Sequence, residues 1–359
     1  EYRKWLEESN KVYTIKLEKI LKYVSIMAIL YTVVTILFLK HKMVKLFIWC
    51  LYNILWIFFM VLTVESKDEE AKKPLIFTKR AKRLYAANLI LNLLILSIIY
   101  IIYTKIINDS LSYFPIVLFL GTILYYFQSE IMYLSNIIIT PIENSINMYY
   151  FEKAQEKIQG MEKLNVVGIT GSFGKTSTKF ITGTILKEKY KVLNTPESYN
   201  TPMGLSKIIN DDLTDKHEIF IAEMGARNIG DIRELSKLTK PKIGVITSIG
   251  PTHLETFKNI DNIMKTKYEL IEELPTDGVA IFNYDDEYIK KLADKTFKEK
   301  ILYGMEDVSK LDLYAENVEV SEMGSTFTIK YKDGNSMRCT TRLLGKHNIY
   351  NILAGVSVA

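Results

Sequence analysis

With 359 residues, 46 Lys and Arg against 41 Asp and Glu, and 48% hydrophobic residues, the chain is long enough for two or three domains and too apolar to be disordered. The net charge of +5 comes without a dense basic patch interleaved with aromatics after residue 150, which argues against a nucleic-acid partner. Two cysteines, Cys50 and Cys339, with no C-x-x-C spacing argue against a zinc site or a disulfide framework.

The average conceals two halves, because residues 20–140 are crowded with Ile, Leu, Tyr and Phe whereas residues 150–359 have ordinary globular composition. About 20 apolar residues at 1.5 Å rise cross a hydrocarbon core of roughly 30 Å. Four segments meet that length, near 20–39, 44–64, 85–107 and 114–138. The fourth carries Gln128 and Glu130, which places its polar side chains inside a bundle or shortens the span. The lack of a small-residue cleavage site and the spans that follow make a cleavable signal a poor reading. Arg3, Lys4, Lys11, Lys16, Lys19 and Lys22 precede the first span, and Lys67, Lys72, Lys73, Lys79, Arg80, Lys82 and Arg83 lie between the second and third. The positive-inside tendency makes both regions cytoplasmic, against the weaker pull of Lys40, Lys42 and Lys45 in the first outer turn. An even number of spans returns everything after residue 140 to the cytoplasm. Residues 1–140 are therefore read as a membrane region with the lipid bilayer as partner, and residues 141–163, opening on Pro141, as a polar helical connector.

From residue 164 the pattern changes. The apolar run Val166 to Ile169 stops at Thr170, Gly171, Ser172, Phe173, Gly174, Lys175, Thr176 and Ser177, and a helical stretch follows to Lys189. A strand, a glycine-rich turn with Lys and Thr, and a helix form a phosphate cradle: backbone N–H groups turn inward, Lys neutralises β/γ charge, and the Thr hydroxyl suits Mg2+. The spacing is a short Gly171-x-x-Gly174-Lys175-Thr176, one that departs from the common G-x-x-x-x-G-K-[ST].

Ile219 to Ala222, Ile243 to Thr247 and Val279 to Asn283 read as buried strands, with helical stretches Ile229 to Leu238 and Ile260 to Leu274 between them. That alternation predicts a parallel sheet with crossover helices, whose ligands gather at the carboxyl ends of the strands. Glu223, His253 and Asn283 stand at or just beyond those ends. A carboxylate there can hold Mg2+, which prefers oxygen ligands. Taken singly, Glu223 reads first as a solvated strand-end acid and His253 as a hydrogen-bonded loop residue; their joint placement at the sheet edge that the phosphate loop defines reverses that reading. The charged face of Asp231 to Leu238 carries no assigned chemistry. By composition Lys265 and Lys267 are helix-surface lysines, and Asn348 is the natural N-cap of a last helix running to Ala359.

Six strings in order, Thr170 to Thr176, Tyr199-Asn-Thr-Pro-Met-Gly204, Glu223-Met-Gly-Ala-Arg-Asn-Ile-Gly230, Ser248-Ile-Gly-Pro-Thr-His253, Lys267-Tyr-Glu269 and Gly345-Lys-His-Asn-Ile-Tyr-Asn351, resemble the ATP-dependent Mur ligases. The likeness is greatest to the type that adds D-alanyl-D-alanine to a muramoyl peptide, and it covers residues 150–359. It implies ATP on the phosphate loop, magnesium held by Thr176, Glu223, His253 and a carbamylated Lys267, and catalytic roles for Lys175, His253 and Lys267. Asn283, His347, Asn348 and Asn351 are implied as adenine-side contacts. The expected fold is a multi-pass α-helical membrane region followed by an α/β phosphate-loop domain with a mostly parallel sheet. The expected activity is ATP-dependent amide formation on a peptide-bearing nucleotide sugar in peptidoglycan precursor synthesis, at a bacterial cell membrane with the ligase domain cytoplasmic. A start at Glu1 and an unfinished last helix lead to the expectation of a fragment lacking the family's C-terminal domain. Two other readings stay open: a related ligase with a poly-γ-glutamate or folylpolyglutamate product, and a membrane receptor or transporter with a nucleotide-sensing domain.

Overall fold

A computed structural model of the chain describes residues 77–106, 127–197 and 199–359, with Ile54 and Leu124 as isolated positions. The first two expected spans fall outside the described residues, Ile54 apart, as does most of the fourth before residue 127. The chain divides into two compact units, the first ending at Ser145 and the second running from Ile146 to Ala359.

In the first unit, helix α1 (Lys79–Ile106) contains a stretch, Lys79–Ile102, of mean hydropathy 2.2 that is long and apolar enough to cross a membrane, and only 6% of its apolar window is buried. It is the one such helix among the described residues. Its side chains at Leu89, Ile90, Leu93, Leu94 and Ile98 are exposed, while Arg83, Asn88 and Asn92 make side-chain hydrogen bonds. Arg83 forms a two-pronged ion pair with Glu143, its Nε 2.5 Å from Oε1 and its Nη2 2.8 Å from Oε2. Asn92 and Gln128 both donate to the Asn88 side-chain oxygen, at 3.0 and 2.6 Å. Helix α2 (Gln128–Gln159) continues through Pro141, so the end of the fourth expected span and the polar connector are one element. The division between compact units falls inside that helix, five residues beyond the expected boundary at residue 140.

The second unit is a single nine-stranded sheet between helices. In chain order its elements are β1 (Asn165–Thr170), α3 (Lys175–Leu186), β2 (Val192–Asn194), α4 (Pro202–Asp211), β3 (Ile219–Glu223), α5 (Asp231–Thr239), β4 (Ile243–Ile246), α6 (Leu254–Phe257), α7 (Ile260–Glu272), β5 (Val279–Asn283), α8 (Glu287–Asp294), β6 (Glu299–Gly304), β7 (Leu313–Ser321), β8 (Gly324–Tyr331), β9 (Ser336–Thr341) and α9 (Lys346–Val358). The sheet order is β2-β3-β1-β4-β5-β6-β7-β8-β9. All pairs up to β6–β7 are parallel, and β7–β8 and β8–β9 are antiparallel. The antiparallel end is an addition to the expected parallel sheet.

Strands buried on both faces need apolar cover on both, and the two core layers supply it. One face packs Leu205 and Ile208 of α4, Leu235 of α5, Ile263 and Leu270 of α7 and Ile289 of α8. The other packs Leu186 of α3 and Ile349, Leu353 and Ala354 of α9. Helix starts are written into the sequence: Thr201 accepts from Gly204 N at 3.2 Å ahead of Pro202, and Asn259 accepts from Asn262 N at 2.9 Å. Strand β1 lies between β3 and β4, so the chain turns to one side and then the other of it, and the crevice beyond its carboxyl end is where an open α/β sheet binds ligands.

Candidate active site

The phosphate loop leaves β1 at that crevice and is strapped to the segment after β4. Ser172 N donates to Ser248 O at 2.8 Å, Phe173 N to Ser248 Oγ at 3.0 Å, and Thr247 Oγ1 to Phe173 O at 2.6 Å. Ser172 Oγ and the backbone of Gly250 exchange two bonds of 3.0 Å. Two motifs far apart in sequence are thus one rigid loop pair. Because the Ser172 and Phe173 N–H groups are spent on this brace, phosphate oxygens are left the first-turn N–H groups of α3. That helix opens on Gly174 with no side-chain cap.

Gly174 has φ +80, and a Cβ there would stand 2.6 Å from Asn351 Oδ1. Gly174→Ala therefore combines a left-handed penalty of about 1–2 kcal/mol with a clash against α9. Its expected result is loss of ATP affinity by at least about tenfold, measured by calorimetric titration. An unchanged affinity would separate the loop's shape from nucleotide binding.

Lys175 folds back on the loop, its Nζ 2.7 Å from Gly171 O and 3.3 Å from Ser172 O. Burial lowers its pKa, and the negative charge of Glu223 opposes that shift. Thr176 Oγ1 lies 3.1 and 3.0 Å from the two oxygens of Glu223. Glu223, the last residue of β3, is 1% exposed, so it is not a solvated strand-end acid. It also accepts from Asn200 Nδ2 at 3.2 Å and from Lys179 Nζ at 3.0 Å. Lys179 is fully buried one turn after Lys175, and its ion pair with Glu223 has both members out of water.

Lys267, on α7, is 4% exposed, which corrects its reading by composition as a surface lysine. Burial, and next the positive charge of Lys175, bring its pKa down to about 7. His253 precedes α6 in a left-handed conformation, φ 52 and ψ 40, and is exposed. A cleft of about 350 Å³ has Gly171, Ser172, Lys175, Asn200, His253 and Lys267 in its lining. With Gly225 to Asn228 also in its lining, five of the six sequence-read strings meet at one place. Among the described residues no three His, Cys, Asp or Glu side chains converge on a point, and the oxygen donors beside the phosphate loop are Thr176 and Glu223. A hydroxyl and a carboxylate match Mg2+, which retains several waters.

The remaining predicted positions divide. Thr170 is buried, its hydroxyl donating to Met224 O at 3.2 Å, whereas Phe173 and Ser177 are exposed. Asn283 is 7% exposed and donates to Thr247 O at 3.3 Å, bracing the loop pair from β5. Asn351 is engaged at both ends, its Oδ1 accepting from Thr178 Oγ1 at 3.1 Å and its Nδ2 donating to Asn348 Oδ1 at 3.3 Å. It locks α9 to the phosphate-loop helix. The N-cap of α9 is Gly345, not Asn348. With φ 90 and ψ 147, Gly345 turns the chain as a side-chain-bearing residue could not, so the helix begins three residues earlier, and Asn348 reaches back to donate to Leu344 O at 2.8 Å. His347 is exposed beside it, with Nε2 3.2 Å from Asn348 Nδ2. Sequence reasoning passed over Lys179, Asn200 and Asp231. Asn200 stood inside a recognised string, and Asp231 lines the cleft although its helix was assigned no chemistry.

Residues 169–359 match the Mur ligase middle domain. The chain is 34% identical over 203 residues to the UDP-N-acetylmuramoyl-tripeptide–D-alanyl-D-alanine ligase of Buchnera aphidicola, covering 56% of this chain and 43% of that protein. It is 33% identical over 192 residues to the ligase of the same name from Bacillus subtilis, covering 54% and 40%. Among solved structures, MurF ligase from Thermotoga maritima in complex with ADP superimposes with a TM-score of 0.54 at 30% identity, over 59% of this chain and 48% of that one. MurF from Acinetobacter baumannii gives a TM-score of 0.55 at 26% identity, over 59% and 46%. The chain spans less than half the length of each of these relatives. With more than half of its own length matched by that domain, the chain belongs to the Mur ligase family.

Proposed function

We propose that this chain carries the ATP-binding centre of a ligase that joins D-alanyl-D-alanine to a UDP-MurNAc-tripeptide, held at the cytoplasmic face of a bacterial membrane. The observation that carries the reading is the convergence of Lys175, His253 and Lys267 on one cleft beside the buried Glu223. The names of the relatives point to the same substrates.

The residues suggest how the reaction is organised. Lys175 leaves the Gly171 and Ser172 carbonyls for the β/γ-phosphate oxygens of ATP, and the first-turn N–H groups of α3 receive the phosphates. Thr176 has one hydroxyl proton, and giving it to Glu223 turns the lone pairs away from the acid. Thr176 and Glu223, with His253 and a carbamate on Lys267, are the groups to hold magnesium, which when bound supplies neutralisation of charge on the transferring phosphoryl group. A carboxylate oxygen of the peptide forms a bond to the γ-phosphorus while the bond to the β-phosphate oxygen breaks and ADP leaves. The amine then adds to the acyl carbon, the carbon–oxygen bond breaks, phosphate departs and the amine loses a proton. The protein's share is positioning and electrostatics.

Membrane anchoring is supported by α1, whose apolar side chains are exposed while Arg83, Asn88 and Asn92 take hydrogen-bond partners, the reverse of a water-soluble helix. The test is phosphate release by the full-length protein in sedimented membranes. Turnover is expected only with UDP-MurNAc-tripeptide and D-Ala-D-Ala together, and activity should stay in the pellet after an alkaline wash. Turnover with glutamate as the added amine would overturn the substrate assignment, and activity in the wash would overturn the anchoring.

A further inference from the structure

One wall of the cleft is the loop between β3 and α5, and its backbone is pinned from three directions. Gly225 N donates to Asn200 O at 2.9 Å, and Arg227 N and Asn228 N donate to the same oxygen of Asp231, each at 2.8 Å. The Thr256 hydroxyl donates to Arg227 O. At the start of α5, Gly230 N and Arg233 N are held by the two oxygens of Glu269, at 2.9 and 3.0 Å. Glu269 is 1% exposed and lies two residues after Lys267 on α7, so the helix that delivers Lys267 to the cleft also fixes this loop.

On that rigid mount the Arg227 side chain is exposed, lines the cleft and has no ion-pair or hydrogen-bond partner among the described residues. Two other cations nearby are committed: Arg233 is spent on Glu272 and Glu273, and Lys175 lies on loop carbonyls. The one acid in the cleft lining, Asp231, has an oxygen occupied by two N–H groups. The cleft therefore offers one permanently charged guanidinium, on a fixed backbone, to an anion from solution. The phosphate loop already supplies a lysine and a helix terminus for phosphates, and Arg227 sits on a different loop. A planar fork of donors suits a carboxylate held by two hydrogen bonds.

We propose that Arg227 binds a carboxylate of the acceptor peptide, making it a specificity determinant alongside the phosphate-binding lysine. This rests on the ligase reading above. The test measures calorimetric affinities of the full-length protein and its Arg227→Ala and Arg227→Lys variants for UDP-MurNAc-tripeptide, for the same peptide with its carboxylates converted to amides, and for ATP. A charge-assisted contact of this kind corresponds to a loss of about 10–100-fold for the carboxylate peptide in Arg227→Ala. Arg227→Lys should recover only part of it. Affinity for the amide form should already be weak in the wild type and should not fall further in Arg227→Ala, and ATP affinity should stay within about twofold, which also shows that the variant is folded. An equal loss for ATP would make Arg227 a phosphate ligand, and an unchanged affinity for the carboxylate peptide would leave it no ligand; either overturns the proposal while the ligase reading stands. A wild-type protein that binds neither peptide overturns the ligase reading and this proposal with it.

Discussion

Lys179→Met is expected to destabilise the second unit by about 3–5 kcal/mol, the cost of breaking a buried ion pair from one side. The side chain is 0% exposed and its partner Glu223 1%, with Nζ 3.0 Å from Oε2. Methionine keeps the length and apolar bulk of the lysine stem but removes the charge. Glu223 then keeps only the neutral donors Thr176 and Asn200 for a negative charge that water cannot reach. In a unit of this size each kcal/mol moves the melting temperature by roughly 2–4 °C, so the drop should be roughly 6–20 °C. All three tryptophans, Trp5, Trp49 and Trp56, precede the second unit, so scanning calorimetry or amide exchange along β3 is the measurement, not tryptophan fluorescence. Glu223→Gln alone should cost a similar amount, because it strands the lysine instead. The double variant Lys179→Met with Glu223→Gln should recover more than half of either loss, since no unpaired charge remains. A single variant within about 1 kcal/mol of the wild type would mean that the pair is hydrated and contributes as a surface bridge does.

That pair illustrates what a sequence conceals. The phosphate loop was legible because its chemistry is local: a strand, two glycines and a lysine within a few residues dictate a cradle whatever surrounds them. Strand ends were legible for the same reason, and Glu223, His253 and Asn283 fall where the alternation of apolar runs put them. Lys179 and Lys267 were not, because burial of a charged residue is decided by elements distant in the chain. A signal was nevertheless present. On α7, Glu269 apart, the buried positions Ile263, Thr266, Lys267, Leu270 and Ile271 follow the spacing i, i+3, i+4, i+7, i+8, which places the lysine on the apolar stripe. On α3 the buried positions Thr178, Lys179, Thr182, Gly183 and Leu186 fall at i, i+1, i+4, i+5 and i+8, again one face of the helix. A lysine at a core position of a helix is therefore worth more than its composition, as the stripe leaves it nowhere to go but the interior. The Asn348 cap fails on a different ground: Gly345 supplies the turn through its backbone, which outranks the side-chain preference of Asn348. The antiparallel β7–β8–β9 end escaped because its strands are half-exposed and lack the continuous apolar runs that marked the parallel ones.

Lys267 carries the second large effect, and pH supplies its test. Burial first, and the nearby Lys175 charge second, lower its pKa to about 7. At about pH 7.5 roughly three-quarters of Lys267 is then the neutral amine, against on the order of 0.1% for a surface lysine of pKa ~10.4. Only the neutral amine adds to carbon dioxide, forming a nitrogen–carbon bond and releasing a proton, so Lys267 should take up isotope-labelled bicarbonate as a carbamate where surface lysines such as Lys265 do not. The product is an anion beside Lys175, which exchanges a repulsion for an attraction. Lys267→Ala should abolish the carbon NMR signal and lower ligase turnover by about 10²–10³-fold, the usual scale for removing one preorganised electrostatic group. Stability gives an independent reading of the same proton in the absence of bicarbonate. The folded pKa lies below the unfolded one, so between about pH 7 and ~10.4 the unfolded chain binds more protons and stability rises with pH. Below about pH 7 both states hold the proton, and this lysine contributes no further slope while its penalty is fully present. Urea titrations across that range should show the rise in the wild type and a flatter line in Lys267→Met. A slope that survives in Lys267→Met would assign the proton to another group, and a labelled carbamate that survives in Lys267→Ala would move the modified lysine out of this cleft.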